Sequence, residues 1–354
     1  MSGSNIRLSA ETLRNFSHAA FLDVGCSDSD ASTIARCLVQ SNLWGVDSHG
    51  VMRLPEYRAR LRSGAMKTRP AIRAISSAQG LEVLDADNCS GFVAAEAAMA
   101  RAIELAQTRG IAAVGIINSN HCGAAALYAR MATEKNMIGI AMSNVAPNMV
   151  APGGSSPITG NNPIAIAIPT FQEFPFVLDI SLSAVSGGKL LAAAASGESI
   201  PVGWATDRDG HPTTDPKVGF DGFLLPVGGH KGFGLSLAVD ILCGLITGGS
   251  FQFHLKSMYR YPSDPSNTAH LMIVINQQAL IDQEQMRSRF REFFETIRSS
   301  PRWDGGESLL PGEIEYRMEL ERTRDGIPLP PKVYETLLQI GAESGLKVEL
   351  KPVS

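Results

Sequence analysis

The 354-residue chain lacks the short signatures by which nucleotide-binding and hydrolytic enzymes are commonly read. No Gly-x-Gly-x-x-Gly run follows an apolar strand pattern and no Gly-x4-Gly-Lys-Ser/Thr occurs, which excludes an ordinary Rossmann or P-loop reading. No Gly-x-Ser-x-Gly elbow is present either. The five cysteines, at 26, 37, 89, 122 and 243, form no Cys-x-x-Cys pair and are odd in number, so they read as buried, reduced thiols of a cytoplasmic protein. Met1 to Arg7 contains no apolar export segment, and the most apolar stretch, Phe233 to Thr247, is too short and carries Asp240, which argues against a membrane span. Lys/Arg runs and aromatic-basic stripes are absent and the net charge is only −4, so nucleic acid is excluded as a partner. What remains is a chain that is 44% hydrophobic and 19% charged, enough for a large core spread over two or three lobes.

Periodicity supplies the elements. Ser9 starts a helix carrying Leu13, Phe16, Ala20 and Phe21 on one face and ending at Gly25, and a second runs from Asp28 to about Leu43. Tyr57 to Leu61 reads as a short helix. Leu81 to Asp85 alternates like a strand, and Ala94 to Thr108 is an alanine-rich helix closed by Gly110. Ile111 to Ile117 is a continuous apolar run of the covered-strand type, followed by a helix from Ala124 to Asn136 and a strand from Ile138 to Met142. Pro147 to Pro163 reads as a loop; Ile164 to Ile168 and Phe176 to Ile180 read as strands. A helix over Lys189 to Ser196, one from Phe233 to Thr247 and a strand from His270 to Asn276 follow. Asp282 to Ser300 is an amphipathic helix with Met286, Phe290, Phe293, Phe294 and Ile297 as its stripe. Pro311 and Pro330-Pro331 open two more, the last facing Val333, Leu337, Leu338 and Ile340 inward. The mixed middle and helical ends predict an α/β core flanked by a helical lobe made from both chain ends.

Chemistry-bearing residues gather in a few places. Ser48-His49-Gly50-Val51-Met52-Arg53 joins a hydroxyl, an imidazole and a guanidinium within six residues. These types suit proton transfer by His49, orientation by Ser48 and carboxylate capture by Arg53, although a bare Ser-His pair is as often structural. Ser48 as a hydrolase nucleophile is disfavoured, because adjacent residues do not easily form a nucleophile–base pair. Asn120-His121-Cys122-Gly123 sits where a strand exits into a helix, the usual ligand edge of an α/β sheet. There His121 can face the substrate or nicotinamide while Cys122 and Gly123 offer backbone; a helix-capping histidine is the plainer alternative. No metal is expected, since His121-Cys122 alone makes a poor shell. Gly228-Gly229-His230-Lys231-Gly232 opens a helix and can cradle a phosphate, or simply cap. Asp179, at the end of an apolar strand, needs a partner: an imidazole, a cofactor group, a salt bridge or a helix terminus. His18, His211, His254 and His270 read as surface or capping residues.

Ser48-His49-Gly50 with Arg53, Asn118-x-x-His121, Gly160-x-Asn162-Pro163, Leu178-Asp179-x-Ser181, Gly229-His230-Lys231-Gly232 and Pro311-Gly312-Glu313 stand in one order along nearly the whole chain. Together they resemble the malate/L-lactate dehydrogenase family of NAD(P)-dependent oxidoreductases, whose fold is unrelated to ordinary lactate and malate dehydrogenases. The resemblance implies a non-Rossmann α/β fold with a central mixed sheet. The cofactor core would span residues 76–279, and the substrate lobe residues 1–75 with 280–354. It implies a small carboxylate substrate and a homodimer whose second subunit helps close the site. His49 would be the proton donor, assisted by Ser48, and Arg53 the carboxylate anchor, with Asn161 and His121 also at the substrate. Cofactor contacts would come from His121, Cys122, Gly123, Ala124 and Ala125, from Asp179, Ile180 and Ser181, from His230, Lys231 and Gly232, and from Pro311, Gly312 and Glu313. NAD and NADP are not distinguished, because no Rossmann acidic position exists to inspect. The family also holds ureidoglycolate, sulfolactate and diketogulonate enzymes and the cyclic imino acid reductases. Asn161 stands where those reductases carry threonine, which weighs toward a 2-oxo acid.

Overall fold

The computed structural model describes residues 5–353. Ile111–Ser119 lies near the middle of the fold because both of its faces are apolar. Ala112, Val114 and Ile116 point into one hydrophobic cluster, whereas Ala113 and Ile117 point into another. Across the sheet the strand order is Arg73–Ala78, Leu81–Asp85, Ile111–Ser119, Thr268–Ile275, Ile138–Ser143, Ile164–Ile168, Phe176–Ile180. Only Leu81–Asp85 and Ile111–Ser119 run parallel; every other neighbouring pair is antiparallel. The sheet is therefore mixed, as the resemblance implied. The alanine-rich helix Gly91–Arg109 packs Ala94, Ala98 and Ala102 onto one face. Its small side chains permit close approach to the strands. Val239 and Cys243, from the His230–Asp240 helix and the wide turn after it, cover the other.

The two chain ends meet. Ile6–Leu8 pairs antiparallel with Ile327–Leu329, Ile6 opposite Leu329. Helices Ala10–Asp23, Asp28–Leu43, Leu54–Arg62 and Pro331–Glu343 feed Phe16, Leu38, Leu54 and Leu337 into the same cluster as Phe92 and Val114. Lobe and sheet thus share one continuous core. A short helix N-terminus is set by Ser9, whose hydroxyl accepts the Thr12 N–H.

Several elements differ from expectation. The expected loop after Pro147 contributes Met149–Val150 and Pro157–Thr159 to a second, five-stranded sheet with Ala205–Thr206, Pro212–Thr213 and Phe223–Leu224. It closes its own core of Met149, Val185, Leu190, Ile200, Ala205 and Leu224. Strands of two or three residues are too short to leave a period in the sequence. The helix expected from Phe233 begins at His230, so the His-Lys-Gly stretch is its first turn. Phe293 (59% exposed) and Leu338 (45%) face outward, because each helix buries a narrower stripe than its apolar residues suggest. All five cysteines are free and buried, and among the described residues no helix is long and apolar enough to cross a membrane.

Candidate active site

Beyond Leu43 the chain turns through two 3₁₀ segments, Asp47–His49 and Val51–Arg53, and enters Leu54–Arg62. Asn42 organises this passage: its Oδ1 accepts the Val51 N–H at 2.8 Å and its Nδ2 donates to Asp47 Oδ1 at 2.5 Å. Gly50 is required there, since a Cβ on it would lie 2.2 Å from Asn42 Oδ1. From the far end of the chain, Arg322 donates through Nη1 to Asp47 Oδ1 at 2.6 Å and to the Asn42 carbonyl, and through Nη2 to Asp47 Oδ2 at 3.0 Å. The turn is held by Asn42 from before it in the chain and by Arg322 from beyond it.

On its inner side the Ser48 hydroxyl lies 2.9 Å from His49 Nδ1. The half-buried His49 ring stacks on His121, centroids 5.6 Å apart and planes 19° apart. The Tyr57 hydroxyl lies 2.5 Å from His121 Nδ1. Arg53 donates through Nε to the Ser48 carbonyl at 2.9 Å and through Nη1 to Glu56 at 3.2 Å, with the Tyr259 ring 5.5 Å from its guanidinium carbon. Burial, followed by the Arg53 cation, lowers His49 to about 4. Burial, followed by His49 and Arg53, lowers His121 to about 3. Both imidazoles are therefore neutral near pH 7. A Cβ on Gly188 would sit 3.8 Å from Ser48 Cβ, so the start of the Gly187–Ser196 helix closes against the same turn. Tyr57, Glu56, Tyr259 and Gly188 had no sequence signal as site residues; Tyr57 read only as part of a helix.

Most of the remaining predicted residues gather at one end of the large sheet, and Pro311 to Glu313 lie apart from them, against the start of its outer strand. His121 leaves the end of Ile111–Ser119, and Arg60 Nη2 donates to its neighbour Asn120 Oδ1 at 2.9 Å, pinning that exit. Cys122, Ala124 and Ala125 are buried, and burial pushes the Cys122 thiol up to about 12, leaving backbone as what they offer. Asp179 finds the helix-terminus partner: its Oδ2 accepts the Ala126 N–H at 2.9 Å at the start of Ala126–Thr133. Beside it the Leu182 N–H bonds the Asn161 carbonyl at 2.8 Å and the Val227 N–H bonds the Leu182 carbonyl at 3.0 Å, bringing Ile180, Ser181, Asn161 and the glycine loop together. Asn161 Oδ1 accepts from Asn148 Nδ2 at 3.1 Å. Gly228 and Gly229 both hold left-handed φ values, 60° and 64°, and nothing lies within 4 Å of where a Cβ would stand on either. With exposed His230 and Lys231 in the first turn and Gly232 packed beneath, they form an open cradle at a helix N-terminus. The Pro311 carbonyl accepts the Val177 N–H at 3.0 Å, which sets Pro311 and Gly312 beside the Phe176–Ile180 strand. The Glu313 carboxylate is taken up by Arg298, Arg317 and the Leu310 N–H.

His270 corrects an expectation. It is not a surface residue but wholly buried on a central strand, its Nε2 at 2.8 Å from Ser119 Oγ and its Nδ1 at 2.9 Å from Ser143 Oγ. Serines at the ends of the two flanking strands satisfy both ring nitrogens, which is what allows an imidazole in the core.

An imidazole and a guanidinium on one clamped turn, facing a glycine-lined sheet edge, suit an oxidoreductase that works on the CH–OH group of hydroxy acids. Comparison with known proteins bears out that class. The chain belongs to the malate/L-lactate dehydrogenase family, whose model matches residues 8–338. It is 37% identical over 351 residues to a malate dehydrogenase of Pyrococcus horikoshii, covering 97% of this chain and 96% of the relative. Its fold superposes on the sulfolactate dehydrogenase of Methanocaldococcus jannaschii with a TM-score of 0.90 at 34% identity, over 97% of this chain and 98% of that one. The Δ1-piperideine-2-carboxylate reductase of Pseudomonas syringae is similar too, with a TM-score of 0.84 at 28% identity over 94% and 99% of the two chains.

Proposed function

We propose that this enzyme is an NAD(P)-dependent oxidoreductase acting at C2 of a small 2-oxo or 2-hydroxy acid of the malate or lactate type. The observation that carries the reading is the Ser48–His49–Arg53 turn, which presents an acid–base group and a carboxylate anchor side by side. The open cradle of Gly228 and Gly229 with Lys231 fits the phosphates of a dinucleotide, and the backbone of His121 to Ala125 and of Asp179 to Ser181 lies at the same end of the sheet, with Pro311 and Gly312 further along the outer strand. Bound there, the nicotinamide supplies or accepts the hydride.

The chain's own groups do the rest. Arg53 commits Nε and one Nη1 hydrogen to Ser48 and Glu56, which leaves the Nη1–Nη2 edge for a bidentate hold on the substrate carboxylate. That hold fixes C2 and its oxygen over the stacked imidazoles. In oxidation the neutral His49 takes the hydroxyl proton; in reduction it returns one, and the carboxylate on Arg53 offsets the cation that, after burial, disfavours the protonated ring. Ser48 steers the ring. On this reading residues 76–279 carry the cofactor, and the lobe built from both chain ends carries His49 and Arg53 on its N-terminal segment, clamped by Arg322 from the other. The exposed Leu235, Ile241, Leu245 and Ile246, 46–65% accessible along one helical stretch, support a homodimer. The buried free thiols support a cytoplasmic setting.

Absorbance at 340 nm, followed with NADH and NADPH against pyruvate, oxaloacetate, related 2-oxo acids and cyclic imino acids, tests the reading. Turnover of a 2-oxo acid, lost about 10²–10⁴-fold in His49→Ala, is expected. The likeness to the Δ1-piperideine-2-carboxylate reductase structure supports a cyclic imino acid reductase as the second reading. Turnover restricted to the imino acids would establish it, and cofactor binding without consumption would refute both.

A further inference from the structure

The two stacked imidazoles differ in what surrounds their Nδ1 atoms. His49 Nδ1 faces a hydroxyl, which donates or accepts, so either tautomer and the protonated ring are open to it. His121 Nδ1 faces two groups. One is the Gly123 backbone N–H, 3.4 Å away, which can only donate. Nδ1 of His121 therefore carries the lone pair. The second group, the Tyr57 hydroxyl at 2.5 Å, must then donate as well. A neutral imidazole has one N–H, and here it lies on Nε2.

Both donors are fixed in place. Tyr57 is 1% exposed and meets the Phe92 ring edge-on, centroids 5.1 Å apart at 76°. Phe92 in turn lies where a Cβ on Gly123 would come within 2.6 Å of it, and Gly123 holds a left-handed φ of 74°. Glycine at 123 thus lets the backbone N–H turn toward the imidazole. Tyr57 and Arg53 sit one turn apart at the head of the Leu54–Arg62 helix, so one element sets both the anchor and the tautomer. Besides Tyr57, the charged and titratable neighbours of His121 are His49, Arg53, His270 and Arg60, all of which oppose its protonation.

We propose that Tyr57 is a positioning residue that, with the Gly123 N–H, locks His121 in the Nε2–H tautomer. His121 is then a permanent hydrogen-bond donor to the substrate's C2 oxygen, beside the titrating His49. This rests on the hydroxy-acid reading of the site and adds a division of labour to it: one imidazole moves the proton, the other polarises the oxygen and does not titrate.

The test uses the full-length protein labelled with 15N-histidine, its His121 ring signals assigned by their loss in His121→Gln. Long-range proton–nitrogen spectra should show an unprotonated Nδ1 and a protonated Nε2 across pH 5 to 8. Tyr57→Phe, which keeps the ring packing, should move His121 toward a tautomer mixture. In turnover Tyr57→Phe should lower kcat about 10- to 100-fold with the cofactor KM unchanged, and should cost nothing further in a His121→Ala background. A protonated Nδ1 in the wild type, an unaltered His121 spectrum in Tyr57→Phe, or an equal kcat loss in both backgrounds would overturn the proposal. The spectra read the tautomer without turnover, so a protein inert toward every 2-oxo acid fails the functional reading alone.

Discussion

Proton uptake by His49 should set the pH dependence of the enzyme, and its direction follows from the site. Burial, with the Arg53 cation second, holds this imidazole at about 4 instead of 6.5. Oxidation of a hydroxy acid begins with neutral His49 in the free enzyme. Its kcat/KM should therefore stay level from pH 8 down to about 5, with the break lying near 4. Reduction begins with the protonated ring. At pH 7 that form lies about three units above its pKa, a cost of about 4 kcal/mol, so roughly one free site in a thousand holds it. The kcat/KM for reduction should accordingly fall about tenfold per unit through the neutral range. Substrate bound on Arg53 offsets the cation, so the break in kcat should lie at higher pH than the break in kcat/KM. Arg53→Met removes the cation outright and should raise the break in oxidation, yet leave it below 6.5 because burial, the larger cause, persists. Initial rates in both directions at constant ionic strength, taken from about pH 3.5 to 9 in oxidation, provide the measurement. An oxidation profile that already breaks near 6.5 in the wild type would refute the reasoning.

Three further outcomes are expected. Arg53→Ala should reduce kcat/KM for carboxylate substrates about 10- to 100-fold, chiefly through KM; unchanged steady-state constants would remove the anchor. Arg322→Met removes the guanidinium donors to Asp47 and to the Asn42 carbonyl, leaving them the Asn42 amide and the Gly45 N–H. Because the Asp47 side chain is 43% exposed, the loss should be about 2 kcal/mol, or about 3 °C in calorimetric Tm, together with a lower kcat as the catalytic turn loosens. A variant matching the wild type in both would show that the turn stands without its clamp. Burial lowers His270 to about 4, so below its ordinary 6.5 the unfolded chain binds a proton that the folded one refuses. Its stability contribution is intact above pH 6.5 and is lost as pH falls toward 4, by about 1.4 kcal/mol per unit. His270→Gln should flatten the dependence of the urea midpoint on pH by about one proton, and an identical slope would count against it.

Local features were the legible ones. Ser48, His49 and Arg53 could be read as a unit because they lie within six residues of one another, and His121 because it follows a covered strand. The helices with strong caps and the apolar strands fell where their periods put them. Contacts between distant segments leave no such trace: the stacking of His49 on His121, the Tyr57 hydrogen bond and the approach of Gly188 to Ser48 depend on how the lobe settles on the sheet. Tyr57 looked like one more apolar helix residue, since a tyrosine buried for its hydroxyl and one buried for its ring have the same spacing. His270 misled for a related reason. Its partners, Ser119 and Ser143, become neighbours only when the central strand inserts between theirs. The small second sheet escaped because strands of two residues carry no alternation.

The clamp between Arg322 and Asp47 spans 275 residues. During synthesis at about 5–20 residues per second, the catalytic turn leaves the ribosome roughly a quarter of a minute to a minute before its clamp does. Through that interval the turn rests on Asn42 and on its own bonds, among them Arg53 to the Ser48 carbonyl, and Ile6–Leu8 waits as an unpaired edge for Ile327–Leu329. The site is begun early in translation and finished at its end, so a nascent chain halted before residue 322 carries every residue of the Ser48–Arg53 turn and still lacks the clamp that fixes it.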